Sequence, residues 1–472
     1  MKEHSPPAIS QSSVISKSMN PIQNDTRRGF LRKTAAATGS IFAPNILLSQ
    51  EGGGKKINVA GVGCGCKGES DIGGAAQGAN IVAFCDVDSD RLKKSLEKYP
   101  DAKGFSNFRE MFETMGDKID MVTVSTPDHA HYPAAMEAIK RGKHVCVQKP
   151  LVNRIWEANQ LHEAAKKKGV KTNMGNQGHT GKGIRLFNQW INSGIVGNVQ
   201  EIHVWTNRPI WPQGNEAKTK IKPGQAPANL SWDHWLAQCP EIPFHEGLHP
   251  FAWRGHLEYG AGAMGDMGCH LLDGPFWACG LGEPYKMEAE CDELTDVSWP
   301  KSSHVVCHFK TAKFGEVKLH WYEGGRKPER PADLEPERDW DKIKGGFFVK
   351  GDAGTVMNTD DYCGSPRMIP ETKFQAFLGG KAPEITIPLS IAEGNPQLEL
   401  VRAIEQDKIC GSNFDYSVPL TKLCLLGNLA ILNPGKVINW DAAKQSSGDE
   451  AVDKHIKRAA YRDGWHYSAD KV

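Results

Sequence analysis

The chain lacks features that would each point to a class of protein. No run of 18 or more apolar residues occurs in it, so we expect no membrane-spanning helix. Net charge is almost absent, because 57 Lys and Arg residues face 56 Asp and Glu residues, which argues against a globally basic nucleic-acid binder. The 39% of hydrophobic residues exclude wholesale disorder. A folded protein of 472 residues is longer than one hydrophobic core usually supports, so at least two domains are expected.

Paired cysteine spacings are scarce as well. The 12 cysteines are scattered at irregular intervals, and Cys64 and Cys66 form the only close pair. A zinc site would need a second pair of this kind, and disulfide scaffolds are typical of small domains. We therefore predict that most of the cysteines are small buried apolar side chains and that the chain holds no metal.

Residues 1–50 differ in composition from the remainder. They carry six basic and two acidic residues, many Ser, Asn and Gln, and no periodic apolar face. The pair Arg27-Arg28 is followed by Phe-Leu and a weakly apolar stretch, an order that resembles a bacterial twin-arginine (Tat) export signal. This resemblance implies that the Tat export machinery is a partner and that the protein is periplasmic. A disordered basic tail is the alternative.

Apolar runs and helical patterns alternate between residues 57 and 177. We predict strands at 57–62, 81–85, 121–125, 145–147 and 170–174, and helices at 90–98, 107–115, 133–141 and 155–168. Strands and helices that alternate at this spacing form a parallel sheet covered on both faces. The segment predicts an α/β Rossmann-type nucleotide-binding domain.

The first predicted strand runs into a G-x-G-x-x-G motif formed by Gly63, Gly65 and Gly68. Such glycines let the backbone turn tightly and approach a pyrophosphate at a helix N-terminus. Asp86 closes the second strand 18 residues after Gly68, where a carboxylate hydrogen-bonds ribose hydroxyls. Asp86 favours NAD over NADP, because a 2′-phosphate there would meet negative charge instead of an Arg. A glycine-rich surface loop is the alternative.

Two later strands end in polar motifs. Thr126, Pro127 and His129 follow one strand, and Gln148 and Lys149 follow the next. Ligands of open parallel sheets bind beyond the carboxyl ends of the strands, so both motifs fall at the same edge as the glycine loop. A lysine at that edge can place a cation beside a substrate oxygen, and a solvated surface charge is the alternative.

The second half, residues 178–440, has longer strands with partial alternation. Strands are predicted at 199–206, 303–309 and 316–321, as in an α+β domain with a large, mostly antiparallel open sheet. Helices are predicted at 184–193, 398–406 and 420–431, the last two returning to the first domain. Residues 441–472 form a C-terminal extension.

Two constellations in this half could carry chemistry. Residues 245–249 match the His-Glu-x-x-His pattern of zinc proteases, which requires a helix, but the neighbouring Pro243 and Pro250 favour a loop. Asp266 and His270 stand four residues apart and would project from the same side of a helix. An imidazole positioned by a carboxylate can take the proton from an alcohol. A structural contact on the helix surface is the alternative for this pair.

Together, the glycine motif, Asp86, the Thr126-Pro127 turn with His129, and Lys149-Pro150 resemble the Gfo/Idh/MocA family of NAD(P)-dependent sugar and polyol oxidoreductases over about residues 57–440. The resemblance implies NAD as cofactor, a carbohydrate as substrate, a homo-oligomer, and the following roles. The catalytic residues would be Lys149, Asp266 and His270. The cofactor would contact Gly63, Gly65, Cys66, Gly68, Asp86, Thr126, Pro127, His129, Gln148 and Lys149. The substrate would contact Trp253 and Arg254, with Asn176, His179, Trp205 and Arg208 as further candidates that buried packing would explain equally well.

Gln148 departs from the family pattern, in which Glu-Lys-Pro usually ends this strand. The missing carboxylate would make the protonated form of Lys149 less favoured if the rest of the site were unchanged.

The leading hypothesis is an oxidoreductase that transfers hydride between a hydroxyl of a sugar, sugar derivative or glycoside and a tightly held NAD. His270, oriented by Asp266, would remove the hydroxyl proton, and Lys149 would steady the oxygen. Two alternatives stay open: an NAD-dependent glycoside hydrolase that works by transient oxidation and elimination, and a non-catalytic sugar-binding relative. Fold analogy does not decide among the three.

Overall fold

The computed structural model describes residues 56–381 and 384–472. The twin-arginine motif lies outside these ranges. The described strands are β1 (Asn58–Val62), β2 (Asn80–Cys85), β3 (Lys103–Phe105), β4 (Met121–Val124), β5 (His144–Val147), β6 (Thr172–Met174), β7 (Val199–Trp205), β8 (Lys222–Pro223), β9 (His245–Gly247), β10 (His249–Pro250), β11 (Lys286–Asp292), β12 (Ser302–Thr311), β13 (Gly315–Glu323), β14 (Gly346–Gly351), β15 (Thr355–Asn358), β16 (Arg367–Ile369) and β17 (Ile438–Asn439).

Helices connect and cover these strands. They are α1 (Lys67–Ala75), α2 (Ser89–Lys98), α3 (Phe108–Met115), α4 (Asp128–Lys140), α5 (Ile155–Lys168), α6 (Lys182–Ser193), α7 (Asn215–Lys220), α8 (Trp232–Leu236), α9 (Gly262–Leu271), α10 (Asp273–Cys279), α11 (Glu371–Leu378), α12 (Pro396–Glu405), α13 (Phe414–Ile431) and α14 (Glu450–Asp453). None of the helices in the described ranges combines the length and the apolar composition needed to cross a membrane.

The first sheet has the strand order β3-β2-β1-β4-β5-β6, and every neighbouring pair is parallel. Helices α1 to α5 connect successive strands, which confirms the Rossmann-type alternation predicted from the sequence. Strand β4 is buried along its whole length, as expected for a central strand covered on both faces.

Helix α4 begins earlier than predicted. It starts at Asp128, so Pro133 lies inside the helix instead of in its first turn. A proline there has no N–H for the carbonyl oxygen of His129, four residues back. That oxygen instead accepts a hydrogen bond from Gln238 Nε2 at 3.1 Å, which removes part of the cost of an internal proline.

The second sheet has the order β16-β15-β14-β7-β13-β12-β11-β17. Only the pair β7–β13 is parallel, so the prediction of a large, mostly antiparallel sheet is confirmed. Helix α13 packs against β11 and β12 and also against α5 of the first half. Helix α12 packs against α1 and β6. Both predicted return helices therefore contact the Rossmann domain.

All 12 cysteines lie within the described ranges and are free thiols. Ten of them are buried, Cys291 is half-buried, and Cys66 is exposed at the glycine loop. The prediction that most serve as small apolar side chains is confirmed.

Candidate active site

A cavity of about 510 Å³ opens where the strands of the six-stranded sheet end. One wall comes from the segments that follow β1, β2, β3, β4 and β5, and the other comes from the second half of the chain. The predicted site residues that line it are Gly63, Gly65, Cys66, Asp86, Thr126, Pro127, Gln148, Lys149, Arg208, Trp253, Arg254, Asp266 and His270. Gly68, His129, Asn176, His179 and Trp205 do not line it.

The glycine motif brings backbone segments into close contact at the start of α1. A Cβ atom on Gly63 would lie 2.5 Å from the carbonyl oxygen of Ser125, and one on Gly68 would lie 2.0 Å from that of Gly63. Side chains are therefore excluded at both positions, and Gly63 also has a positive φ of 86°. The loop and the N-terminus of α1 face the cavity in the arrangement that accepts a pyrophosphate. These residues fit a bound dinucleotide.

Asp86 directly follows β2, and two backbone amides hold its carboxylate. Oδ2 accepts from Cys64 N at 2.7 Å and Oδ1 accepts from Asp88 N at 2.9 Å. Burial raises the pKa of Asp86, and the two hydrogen bonds oppose that shift. Arg91 of α2 lines the cavity close by, and its Nε lies 3.4 Å from Asp88 Oδ2. Arg91 is a cavity residue that was not among the predicted cofactor contacts.

His129 is not a cavity residue, which corrects its predicted role at the cofactor. Its Nε2 lies 2.8 Å from the carbonyl oxygen of Trp235, and its ring packs against Trp235 and Tyr259. His129 points this way because it already belongs to α4, which begins at Asp128, so its direction is set by the helix. Asp128 and His131, three residues apart, share the helix face that lines the cavity, and His129 points away from it.

Lys149, in the first half of the chain, contacts Asp266 of the second half at the cavity. Its Nζ donates to Asp266 Oδ1 and to the Asp266 carbonyl oxygen, both at 2.7 Å. Arg254 Nε and Arg208 Nε lie 3.4 Å and 3.6 Å from the same carboxylate. Burial alone would raise the pKa of Asp266, but Lys149 and Arg254 hold that pKa well below its usual range. Asp266 is therefore an ionised partner of Lys149.

His270 is positioned by Asn176 and not by Asp266. Nδ1 of His270 lies 2.8 Å from Asn176 Oδ1, whereas no hydrogen bond among the described residues joins His270 to Asp266. Asn176 Nδ2 donates to the Cys269 carbonyl oxygen at 2.7 Å and to Asp273 Oδ2 at 3.0 Å, which fixes the orientation of the amide. Because Oδ1 can only accept, His270 Nδ1 carries the proton and Nε2 is left as a base. Burial first, and Lys149 next, lower the pKa of His270 well below its ordinary value.

The predicted substrate residues Asn176 and His179 lie behind His270, because the chain after β6 turns beneath α9. His179 Nδ1 lies 2.9 Å from Asp273 Oδ1, and Tyr416 Oη donates to the same oxygen at 2.5 Å. Asp273 therefore anchors both predicted residues from within the protein. It stands three residues after His270, and this helical spacing is the signal that the sequence analysis missed.

Gln148 has a partner that explains the departure from Glu. Its Nε2 donates to Asp71 Oδ2 at 2.7 Å, and Ser125 Oγ donates to the same oxygen at 2.7 Å. Lys67 Nζ lies 2.5 Å from Asp71 Oδ1. A glutamate at 148 would face the buried Asp71 carboxylate and repel it. The carboxylate beside position 148 comes from Asp71 of α1.

Trp253 and Arg254 line the part of the cavity wall that comes from the second half of the chain. Arg254 Nη1 donates to Asp128 Oδ1 at 3.1 Å, and its guanidinium lies 4.4 Å from the Trp253 ring centre. Trp205 is buried between the second sheet and Trp340, which removes it from the substrate candidates. Arg208 stays at the cavity beside Asp266.

The His-Glu-x-x-His segment is not helical. It forms the short strands β9 and β10, so the predicted loop is wrong in detail, although the expected lack of a helix is confirmed. His249 Nε2 lies 3.3 Å from Asp88 Oδ2 and lines the cavity near Asp86. Within the described ranges, no group of three or more His, Cys, Asp or Glu side chains is arranged to hold a metal ion.

Family models match both halves of the chain. The model of an oxidoreductase family with an NAD-binding Rossmann fold matches residues 57–176, and the model of the C-terminal alpha/beta domain of that family matches residues 181–298. Inositol 2-dehydrogenase of Salmonella paratyphi B is 26% identical over 152 residues, 31% of this chain and 44% of that protein. Glucose-6-phosphate 3-dehydrogenase of Bacillus subtilis is 21% identical over 221 residues, 46% of this chain and 52% of that protein. The chain thus spans about half the length of the curated relatives that it matches.

Solved structures share the fold at low sequence identity. The WlbA dehydrogenase of Bordetella pertussis, solved with NADH and UDP-GlcNAcA, is 17% identical with a TM-score of 0.57, covering 82% of this chain and 99% of that one. The aldose-aldose oxidoreductase of Caulobacter crescentus is 18% identical with a TM-score of 0.56, covering 82% and 100%. The matches to both domain models and this shared architecture show that the chain belongs to the Gfo/Idh/MocA oxidoreductase family and carries its NAD-binding Rossmann domain.

Proposed function

We propose that the chain is an NAD-dependent oxidoreductase that acts on a hydroxyl group of a sugar, sugar derivative or polyol. The observation that carries this proposal is the meeting of a buried base, His270, a lysine, Lys149, and the dinucleotide loop in one cavity. The names of the similar proteins, an inositol dehydrogenase and a levoglucosan dehydrogenase among them, support the substrate class.

His270 acts as the general base in this proposal. Its Nε2 is unprotonated because Nδ1 bonds to Asn176 and because burial lowers the pKa of the ring. At neutral pH, Nε2 can therefore accept the proton of a substrate hydroxyl. Bound NAD would supply the acceptor for the hydride.

Lys149 binds the substrate oxygen. An ammonium group has three N–H donors, and two of them bond to Asp266. The third can bond to the hydroxyl oxygen and stabilise the negative charge that develops as His270 takes the proton. Asp266 thus positions Lys149, and Asn176 positions His270.

A product analysis tests this function. Purified protein is incubated with NAD and a panel of sugars, polyols and glycosides, and reduced nicotinamide is followed by absorbance while products are identified by NMR. We expect a keto product and reduced nicotinamide with wild type, and neither with Lys149→Ala. Cleavage of a glycoside without net reduction would replace the proposal by hydrolysis through transient oxidation. Absence of turnover in protein that binds NAD would favour a sugar-binding role.

We also propose that the enzyme is exported through the Tat pathway with NAD already bound, works in the periplasm and assembles as a homo-oligomer. The Arg27-Arg28 motif supports export, because Tat carries folded proteins. Replacing both arginines by Lys in the full chain should keep the protein in the cytoplasm. Denaturing the purified protein should release dinucleotide, and light scattering should give a mass above 51.9 kDa.

A further inference from the structure

The last part of the chain, residues 454–472, returns to the Rossmann domain, and we call it the C-terminal strap. Arg458 Nη2 donates to Asn153 Oδ1 at 2.7 Å just before α5. Further along, Tyr132 Oη of α4 donates to the Tyr467 carbonyl oxygen at 3.0 Å. The strap is therefore fastened to the nucleotide-binding half at two separate points.

Trp465 of the strap forms part of the cavity wall. Only 7% of its surface is exposed, and its ring packs edge-on against Phe108 with 5.9 Å between the ring centres. The Arg109 guanidinium lies 3.8 Å from the Trp465 ring centre, and Arg109 Nη2 donates to the Gly464 carbonyl oxygen at 2.8 Å. These contacts hold the indole in one place.

This wall lies at the adenosine end of the cavity. Asp86 follows β2, and Asn107 and Phe108 follow β3, which is the side of a Rossmann sheet that holds the adenosine ribose and base. The strap also holds the opposite wall. Arg462 Nη1 donates to the carbonyl oxygens of Asp233 at 3.0 Å and Ala237 at 3.3 Å. These two residues lie near the start and just after the end of α8.

We propose that the C-terminal strap closes the adenosine end of the NAD site, with Trp465 in contact with the adenine ring. The proposal rests on the NAD-binding domain and not on the identity of the substrate. Loss of an aromatic contact to a base weakens nucleotide binding by about 5- to 150-fold, and we expect a loss in this range for Trp465→Ala.

Three ligands locate the effect within the dinucleotide. Bound dinucleotide is first removed from each protein, and dissociation constants for NAD, ADP-ribose and nicotinamide mononucleotide are then measured by calorimetry on wild type, Trp465→Ala and the control Trp440→Ala. Trp440 is a matched control because it is 6% exposed, directly precedes the C-terminal extension and does not line the cavity. We expect Trp465→Ala to weaken NAD and ADP-ribose equally and to leave nicotinamide mononucleotide unchanged, whereas Trp440→Ala changes none of them.

A second variant covers a failure of Trp465→Ala to fold. Trp465→Leu keeps an apolar side chain against Arg109 and should still weaken NAD at least fivefold. An unchanged affinity for NAD in a folded variant, or an equal loss for nicotinamide mononucleotide, overturns the strap proposal and leaves the proposed function standing. Wild-type protein that binds none of the three ligands overturns both.

Discussion

Replacing Asn176 by Leu tests how the general base is held. The change leaves His270 Nδ1 without the acceptor that now lies 2.8 Å away, and it removes one donor from Asp273. A buried polar group without a partner costs about 1–3 kcal/mol, and each 1.4 kcal/mol is a factor of ten in rate. If this cost appears in the transition state, kcat should fall by about 5- to 150-fold. The substrate KM and the affinity for NAD should stay nearly constant, because Asn176 does not line the cavity.

Asn173→Leu is the matched control. Asn173 is equally buried, and its Nδ2 donates to the Pro396 carbonyl oxygen at 2.9 Å and to Glu399 Oε2 at 3.0 Å, with no link to His270. Both variants should lose similar thermal stability, and only Asn176→Leu should lose kcat. Equal kcat values for Asn176→Leu and wild type, or equal losses of kcat in both variants, would refute the positioning role.

Three further predictions address charge. In Lys149→Met, kcat should drop by about 10²- to 10⁴-fold, and the acid limb of its pH profile should move to higher pH, because the pKa of His270 rises when a nearby cation is removed. In Asp86→Ser, titration should show NAD bound about 10- to 150-fold more weakly and NADP bound more tightly than by wild type, because a 2′-phosphate near Arg91 then no longer meets the Asp86 carboxylate. Arg458→Met should lower the free energy of unfolding by about 3–5 kcal/mol in denaturant titrations, because it leaves the buried Glu157 carboxylate without its ion pair.

Elements and motifs set by local sequence were predictable, and contacts between distant segments were not. Asp266 and His270 lie on one helix, α9, as their four-residue spacing suggested. The assumed bond between them was wrong, because Lys149, from another domain, competes for the carboxylate. His129 was wrongly predicted to contact the cofactor because α4 begins at Asp128, earlier than predicted. Asn176 was predicted to contact substrate, but the turn after β6 places it behind His270.

The cavity wall from the C-terminal extension was also not predicted. Trp465 is separated from its partner Arg109 by most of the chain, and no local pattern relates them. Arg91 was missed for a different reason, since a charged residue early in a helix has many explanations in a sequence. Both residues became visible only through their place on the cavity.

The hydrogen bond between Gln148 and Asp71 has a consequence for how such sequences diverge. Two positions 77 residues apart share one buried negative charge, so neither can change its charge without a response from the other. Chains with Glu at position 148 should carry an uncharged residue at position 71. An evolutionary intermediate with two carboxylates, or with none, should be less fit than either chain with one. Covariation of this pair, and not the identity of either residue alone, is then the signature by which relatives of this chain can be sorted.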